Sequence, residues 1–136
     1  MCKLGDIIVV NKYIGENGKH IGRHSFIVID DNEDIIRGIE YTHIATVISS
    51  FKSKEQKRKK LNYKGNIEIK EYTKKGKRRA FNKSSYVKAD KVFYFNKNKL
   101  DYYVFGRVSD NLLEEIKKII IELANENKLT QVISNL

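Results

Sequence analysis

Apolar residues in this chain come in short, mostly β-branched runs as far as Val108 and at helical spacing only after Ser109, a division that limits the fold to strands first and helix last. Ile7-Ile8-Val9-Val10, introduced by Gly5-Asp6, reads as a buried strand. Gly15 to His20 contains two glycines and an asparagine, residues that accept positive φ, and predicts a mobile loop before a second strand at Ser25-Phe26-Ile27-Val28-Ile29. An acidic turn from Asp30 to Asp34 leads into further strand-forming sequence at Ile35 to Ile39 and Tyr41 to Ile48. Gly65 to Tyr72 alternates apolar and polar residues, the pattern of a half-exposed edge strand, and Tyr86 to Phe95 and Tyr102 to Val108 are the last β-rich runs. Leu112, Leu113, Ile116, Ile119, Ile120 and Leu123 then recur at steps of one and three, which predicts an amphipathic helix over about 110–126, capped by Ser109 or Asp110. The polar tail from Asn125 to Leu136 predicts a further short helix or a frayed end. The expected fold is mostly β with a C-terminal helix: six or so strands in a barrel or strongly curved sheet, and the helix laid against it.

A chain of 136 residues, 40% hydrophobic, can bury one continuous core, so a single domain over 1–136 is expected. No run approaches the ~18 apolar residues of a membrane span, and Met1 to Asp6 lacks the order of a secretory signal. The expectation is a cytoplasmic protein with no membrane contact. Lone Cys2 has no disulfide partner, and three scattered histidines make no zinc cluster, so no metal or cofactor is expected.

Charge is concentrated. The net value is +10, and the segments Lys52–Lys60 and Lys70–Arg79 each hold six Lys/Arg against a single Glu, leaving the remainder without net charge. Two neighbouring cationic segments, together a basic loop region over about 52–79, form the electrostatic footprint of a polyanion partner. The plainer alternative is a solvated lysine-rich surface; an anionic membrane suits neither segment, since neither has an apolar face to insert.

Taken in order, these segments resemble the MazF/PemK family of bacterial toxins. Gly5-Asp6-Ile7-Ile8-Val9-Val10 is similar to the family's opening Gly-Asp and hydrophobic strand, and Gly22-Arg23-His24-Ser25-Phe26-Ile27-Val28-Ile29 stands where the family has Gly-x-Arg-Pro and a strand. Val47-Ile48-Ser49-Ser50 matches a strand ending in Thr/Ser, and Ser85 to Val92, Asn96 to Leu100 and Phe105 to Ser109 resemble the closing series. Ser49-Ser50-Phe51-Lys52 is also similar to the Thr-Ser-x-Lys of the ToxN group, whose inhibitor is a repetitive RNA. The resemblance implies a small SH3-like barrel with a helix and an endoribonuclease toxin of a toxin-antitoxin system. It further implies metal-independent cleavage of single-stranded RNA through 2′-OH attack, a protein or RNA antitoxin, and a homodimer. A non-catalytic RNA- or DNA-binding barrel is the alternative.

Such cleavage requires a base for the 2′-OH, stabilisation of a dianionic phosphorane and an acid for the 5′-oxygen. Arg23 suits the phosphate clamp because guanidinium offers a planar fork to two oxygens. An ungapped match of the strands puts His24 there instead, and since adjacent strand residues face opposite ways, only one of the two is expected to meet the phosphate. Otherwise Arg23 is a surface charge and His24 a structural histidine. Ser49 and Ser50 suit hydroxyl donors at a strand end, against the reading of paired serines as a turn signal. Lys52 is a point charge or acid beside the same phosphate, or simply the first member of the basic run. Lys19 and His20 in the glycine loop, Lys54, Lys57, Arg58 and Lys59, and Lys77, Arg78 and Arg79 are the candidate RNA-binding residues. His43 reads as structural, while Tyr13, Tyr86 and Phe51 are candidates for stacking on unpaired bases.

Overall fold

The computed structural model describes residues 2–134. Strands β1 (Asp6–Val10), β2 (Tyr13–Ile14), β3 (His20–Ile21), β4 (His24–Asp30), β5 (Asp34–Ile36), β6 (Ile39–Tyr41) and β7 (His43–Ser50) precede helix α1 (Lys54–Leu61). Then follow β8 (Asn66–Lys74), β9 (Lys77–Lys88), β10 (Lys91–Phe95), a short 3-10 turn, β11 (Tyr102–Arg107), α2 (Asp110–Asn125) and β12 (Thr130–Ile133). Six strands close a barrel in the order β7-β4-β1-β11-β8-β9 and back to β7; β10 and β12 extend the sheet outside the ring. Closure depends on β7, which pairs twice along one edge: Ala45 opposes Phe93 of β10, whereas Ile48, Ser49 and Ser50 oppose Val87, Tyr86 and Ser85 of β9. The barrel seam therefore lies at the paired serines.

Strand alternation divides the interior into two packed layers. Ile7, Ile27, Ile48, Ile69 and Val87 point into the barrel, where Leu113 and Ile116 of α2 join them. Ile8, Phe26, Val28, Val47, Phe93 and Phe95 face the other way and are covered by Tyr13, Val132 and Cys2. Phe26 sits edge-on to Tyr13, Phe93 and Phe95 at 5.0, 5.2 and 5.1 Å between ring centres, a geometry aromatic pairs favour. Burial on both sides explains why β1 and β4 read as unbroken apolar runs rather than alternating ones.

Four expectations are corrected. The Lys-rich stretch read as loop holds α1, which buries no residue; Ser53 caps it by accepting from the Gln56 N–H at 3.0 Å, and the Gln56 side chain accepts from the Lys52 N–H at 2.6 Å. β8 is no edge strand: it lies in the barrel wall between β11 and β9, its polar residues turned out to solvent. Gly15 to His20 is no free loop but the turn of the β2–β3 hairpin, closed by Gly15 N–H to the Lys19 carbonyl at 2.8 Å, with Gly18 at φ +78°. The tail read as helix or frayed end instead supplies β12, whose Val132 is 4% exposed and which pairs in parallel with β10; Asn135 and Leu136 lie outside the described residues. Helix α2 is amphipathic as its spacing implies, with Ser109 accepting from the Leu112 N–H.

Candidate anion-binding cleft

The site is built where β7 runs out. Ser49 opposes Tyr86 across the seam, Ser50 is exposed at the rim, and the Phe51 N–H bonds to the Ser84 carbonyl at 3.0 Å before the chain turns into α1. Arg23 arrives from the turn before β4 and His24 from its first residue. These elements enclose a cleft of about 550 Å³ lined by Arg23, His24, Ser49, Ser50 and Lys52, all five residues singled out from the sequence. Arg23, in the turn before β4, and His24, the first residue of that strand, both line it.

Six further residues complete the lining. Gln56 and Lys60 share one face of α1, Tyr86 and Lys88 share one face of β9, and Ser25 and Ile48 form the floor. Lys60, Gln56 and Lys88 were missed by sequence reasoning, although signals existed: Ser53-Lys54-Glu55-Gln56 is a capping-box pattern, and Lys88 stands two residues beyond Tyr86 on a strand. Among the described residues the cleft is lined by four Lys/Arg and by no Asp or Glu. Burial lowers the Lys88 pKa, with the charges of Lys91 and Lys60 adding to the effect and Asp90 opposing it. Burial raises that of the Tyr86 phenol, opposed by a hydrogen bond with Ser49.

Arg23 donates to the Tyr103 hydroxyl, and its guanidinium carbon is 5.5 Å from the Tyr103 ring centre. The clamp candidate is therefore held at the rim by an exposed aromatic that the sequence did not single out. None of the nine candidate RNA-binding residues lines the cleft. Lys54, Arg58 and Lys59 are exposed on α1, whereas Lys57 is 2.7 Å from Glu68 and its charge is largely answered. Lys77, Arg78 and Arg79 lie exposed on the first part of β9, where Arg78 faces Glu71 at 3.4 Å, and Lys19 and His20 are exposed at the β2–β3 turn.

Two of the three proposed stacking aromatics are unavailable. Tyr13 and Tyr86 are 4% and 3% exposed, and Phe51 is stacked on Tyr86 with ring centres 4.6 Å apart. His43 is structural: it is buried, its Nε2–H donates to the Cys2 carbonyl at 3.0 Å, and Nδ1 meets the Thr42 hydroxyl at 2.7 Å.

No curated protein matches the chain. A family model described as PemK-like, MazF-like toxin of type II toxin-antitoxin system matches residues 3–124, and with its closed barrel and C-terminal helix the chain belongs to that toxin family.

Proposed function

We propose that the protein is a metal-independent endoribonuclease, cutting single-stranded RNA by attack of a ribose 2′-OH on the adjacent phosphodiester. The bond from phosphorus to the 5′-oxygen breaks, leaving a 2′,3′-cyclic phosphate and a 5′-hydroxyl. The observation that carries this reading is a cleft with four Lys/Arg, an imidazole and three serine hydroxyls, and no carboxylate among its described lining residues. Such a lining attracts a phosphodiester and grows more favourable as charge builds on it.

Arg23 clamps two phosphoryl oxygens, while Ser49 and Ser50 donate to the oxygen on which charge develops. The 2′-OH proton passes to a nitrogen base, for which His24 and Lys88 are the candidates, and Lys52 stands beside the leaving oxygen. Exposed cations on α1 and on the β8–β9 hairpin draw the strand in. The family implies an antitoxin partner. We infer that an acidic segment of it would compete with RNA for the same cleft. We carry the homodimer and the cytoplasmic location as parts of the same proposal; sedimentation at micromolar protein would show twice the 15.9 kDa chain mass.

The test is a defined RNA oligomer incubated with protein and EDTA, followed by end-group analysis. Cyclic phosphate and 5′-hydroxyl ends are expected, and deoxyribose at the scissile position should stop cleavage. RNA left intact but bound in a salt-sensitive manner would instead identify a non-catalytic binding barrel.

A further inference from the structure

Next to the cleft lies a second hollow of about 350 Å³, which shares Ser25, Ile48 and Ser50 with it. Its floor is aromatic. Tyr72 of β8 stands between Phe81 of β9 and Phe105 of β11, with ring centres 4.9 and 4.8 Å apart, and all three rings keep part of their surface exposed. The wall comes from an irregularity in the β8–β9 ladder. Ile69 opposes Ser85 but Glu71 opposes Ala80, so the four residues 81–84 of β9 face only Lys70 of β8. That bulge bends the hairpin and sets exposed Asn82 and Lys83 beside the aromatic floor, while the bond from the Phe51 N–H to the Ser84 carbonyl ties it to the end of β7. Gly106 adapts β11 to the floor: a Cβ there would lie 2.8 Å from both a Tyr72 ring carbon and the Thr73 carbonyl oxygen.

We propose that this hollow is a nucleobase subsite in which an unpaired base next to the bound phosphodiester stacks on the Tyr72–Phe81–Phe105 floor and presents its edge to Asn82. The proposal rests on the reading of the cleft as an RNA site. The exposed part of these rings offers every base a π-face. The Asn82 amide supplies one acceptor and two donor hydrogens for a base edge, and Lys83 is a cation for the following phosphate. Continuity through Ser25 and Ser50 favours an occupant covalently joined to an anion, which a base in RNA is. The hollow's volume is that of a small-molecule cleft, about 300–1,000 Å³.

The test uses ten-nucleotide 2′-O-methyl RNAs, which cannot be cut by 2′-OH attack: four homopolymers and one of the same length with abasic residues throughout. Binding is read by fluorescence anisotropy for the wild-type chain, Phe81→Leu and Asn82→Ala. At least one homopolymer should bind roughly 5- to 150-fold more tightly than the abasic strand, the range expected for one stacked base. Phe81→Leu should remove most of that difference without weakening the abasic strand. Asn82→Ala, at an exposed position with no packing to lose, should reduce the preference among homopolymers. Equal affinity for abasic and normal strands would overturn the subsite even if natural RNA is cleaved in EDTA, so its failure is distinct from failure of the ribonuclease reading. Unchanged RNA binding in both variants, together with lost affinity for an acidic peptide, would overturn it in favour of a peptide site.

Discussion

Ser49 and Ser50 are neighbours with different obligations, and substitution separates them. Ser50 is exposed at the end of β7. Its replacement by Ala should leave thermal stability within about 0.5 kcal/mol of wild type. Loss of one donor to a developing oxyanion should nevertheless cost about 10²–10³ in kcat. Ser49 is half-buried opposite the buried Tyr86 across the barrel seam, so Ser49→Ala should lower stability by about 1 kcal/mol as well as activity. Thermal melts alongside single-turnover cleavage check both; unchanged rates in the double variant would remove the serines from the chemistry. Lys88 gives a pH signature. Its folded pKa is depressed by burial and by Lys91 and Lys60, while the unfolded chain restores the usual lysine value near ~10.4. Between the two values the unfolded state binds more protons, so stability rises with pH through that window. Below the window the charged ammonium bears its full desolvation penalty in the fold. Lys88→Met should thus be more stable than wild type at pH 7, and the difference should shrink toward pH 10. If the amine is the base for the 2′-OH, Lys88→Met should also erase the rise of kcat/KM with pH through that window. A variant with wild-type melts and the same rise would exclude that role.

Elements were legible in the sequence to the extent that burial wrote them there. β1, β4 and β7 bury side chains on both faces and α2 buries Leu113, Ile116 and Leu123, so period and β-branching disclosed them. α1 buries nothing, and its sequence KEQKRKKL has no apolar stripe to betray a helix; it is held by a cap, by the Lys57–Glu68 ion pair to β8 and by the Asn66 side-chain amide donating to the Lys60 carbonyl at 2.9 Å. β12 escaped because four residues supported by a parallel neighbour need no pattern of their own. Edge or interior position for β8 is set by barrel closure, a property of the partners rather than of the segment. The same reasoning explains the site: hydroxyls at the end of a strand were visible, while Lys60 and Lys88 reach the cleft only through elements whose placement is tertiary. Because α1 depends on its cap, Ser53→Ala should weaken it by about 1 kcal/mol. Amide hydrogens of 56–61 should then exchange faster while those of β7 stay protected, and RNA affinity should fall as Gln56 and Lys60 lose their fixed positions. Unchanged exchange would mean that the contacts to β8 hold the helix without its cap.

The net charge of +10 acts on association through its distribution. Arg23, Lys52, Lys60 and Lys88 converge on one cleft, whereas the α1 cations and the β8–β9 hairpin are spread over the outer surface, several of them already facing carboxylates. A single-stranded polyanion held by the four convergent charges should show a slope of log affinity against log salt of roughly −3, since each neutralised phosphate contributes about −0.7. Raising monovalent salt from about 50 to 200 mM should then weaken binding about 50-fold. Lys60→Gln should make the slope shallower by about 0.7, because one convergent charge is gone. Lys59→Gln, which removes an exposed cation 3.7 Å from Glu55, should change it far less. If the two variants shift the slope equally, binding is spread over the whole basic surface and the cleft has no privileged hold on the strand. A slope near zero would mean that phosphate does not dominate the interaction at all, and the electrostatic basis of the cleft as an RNA site would fail with it.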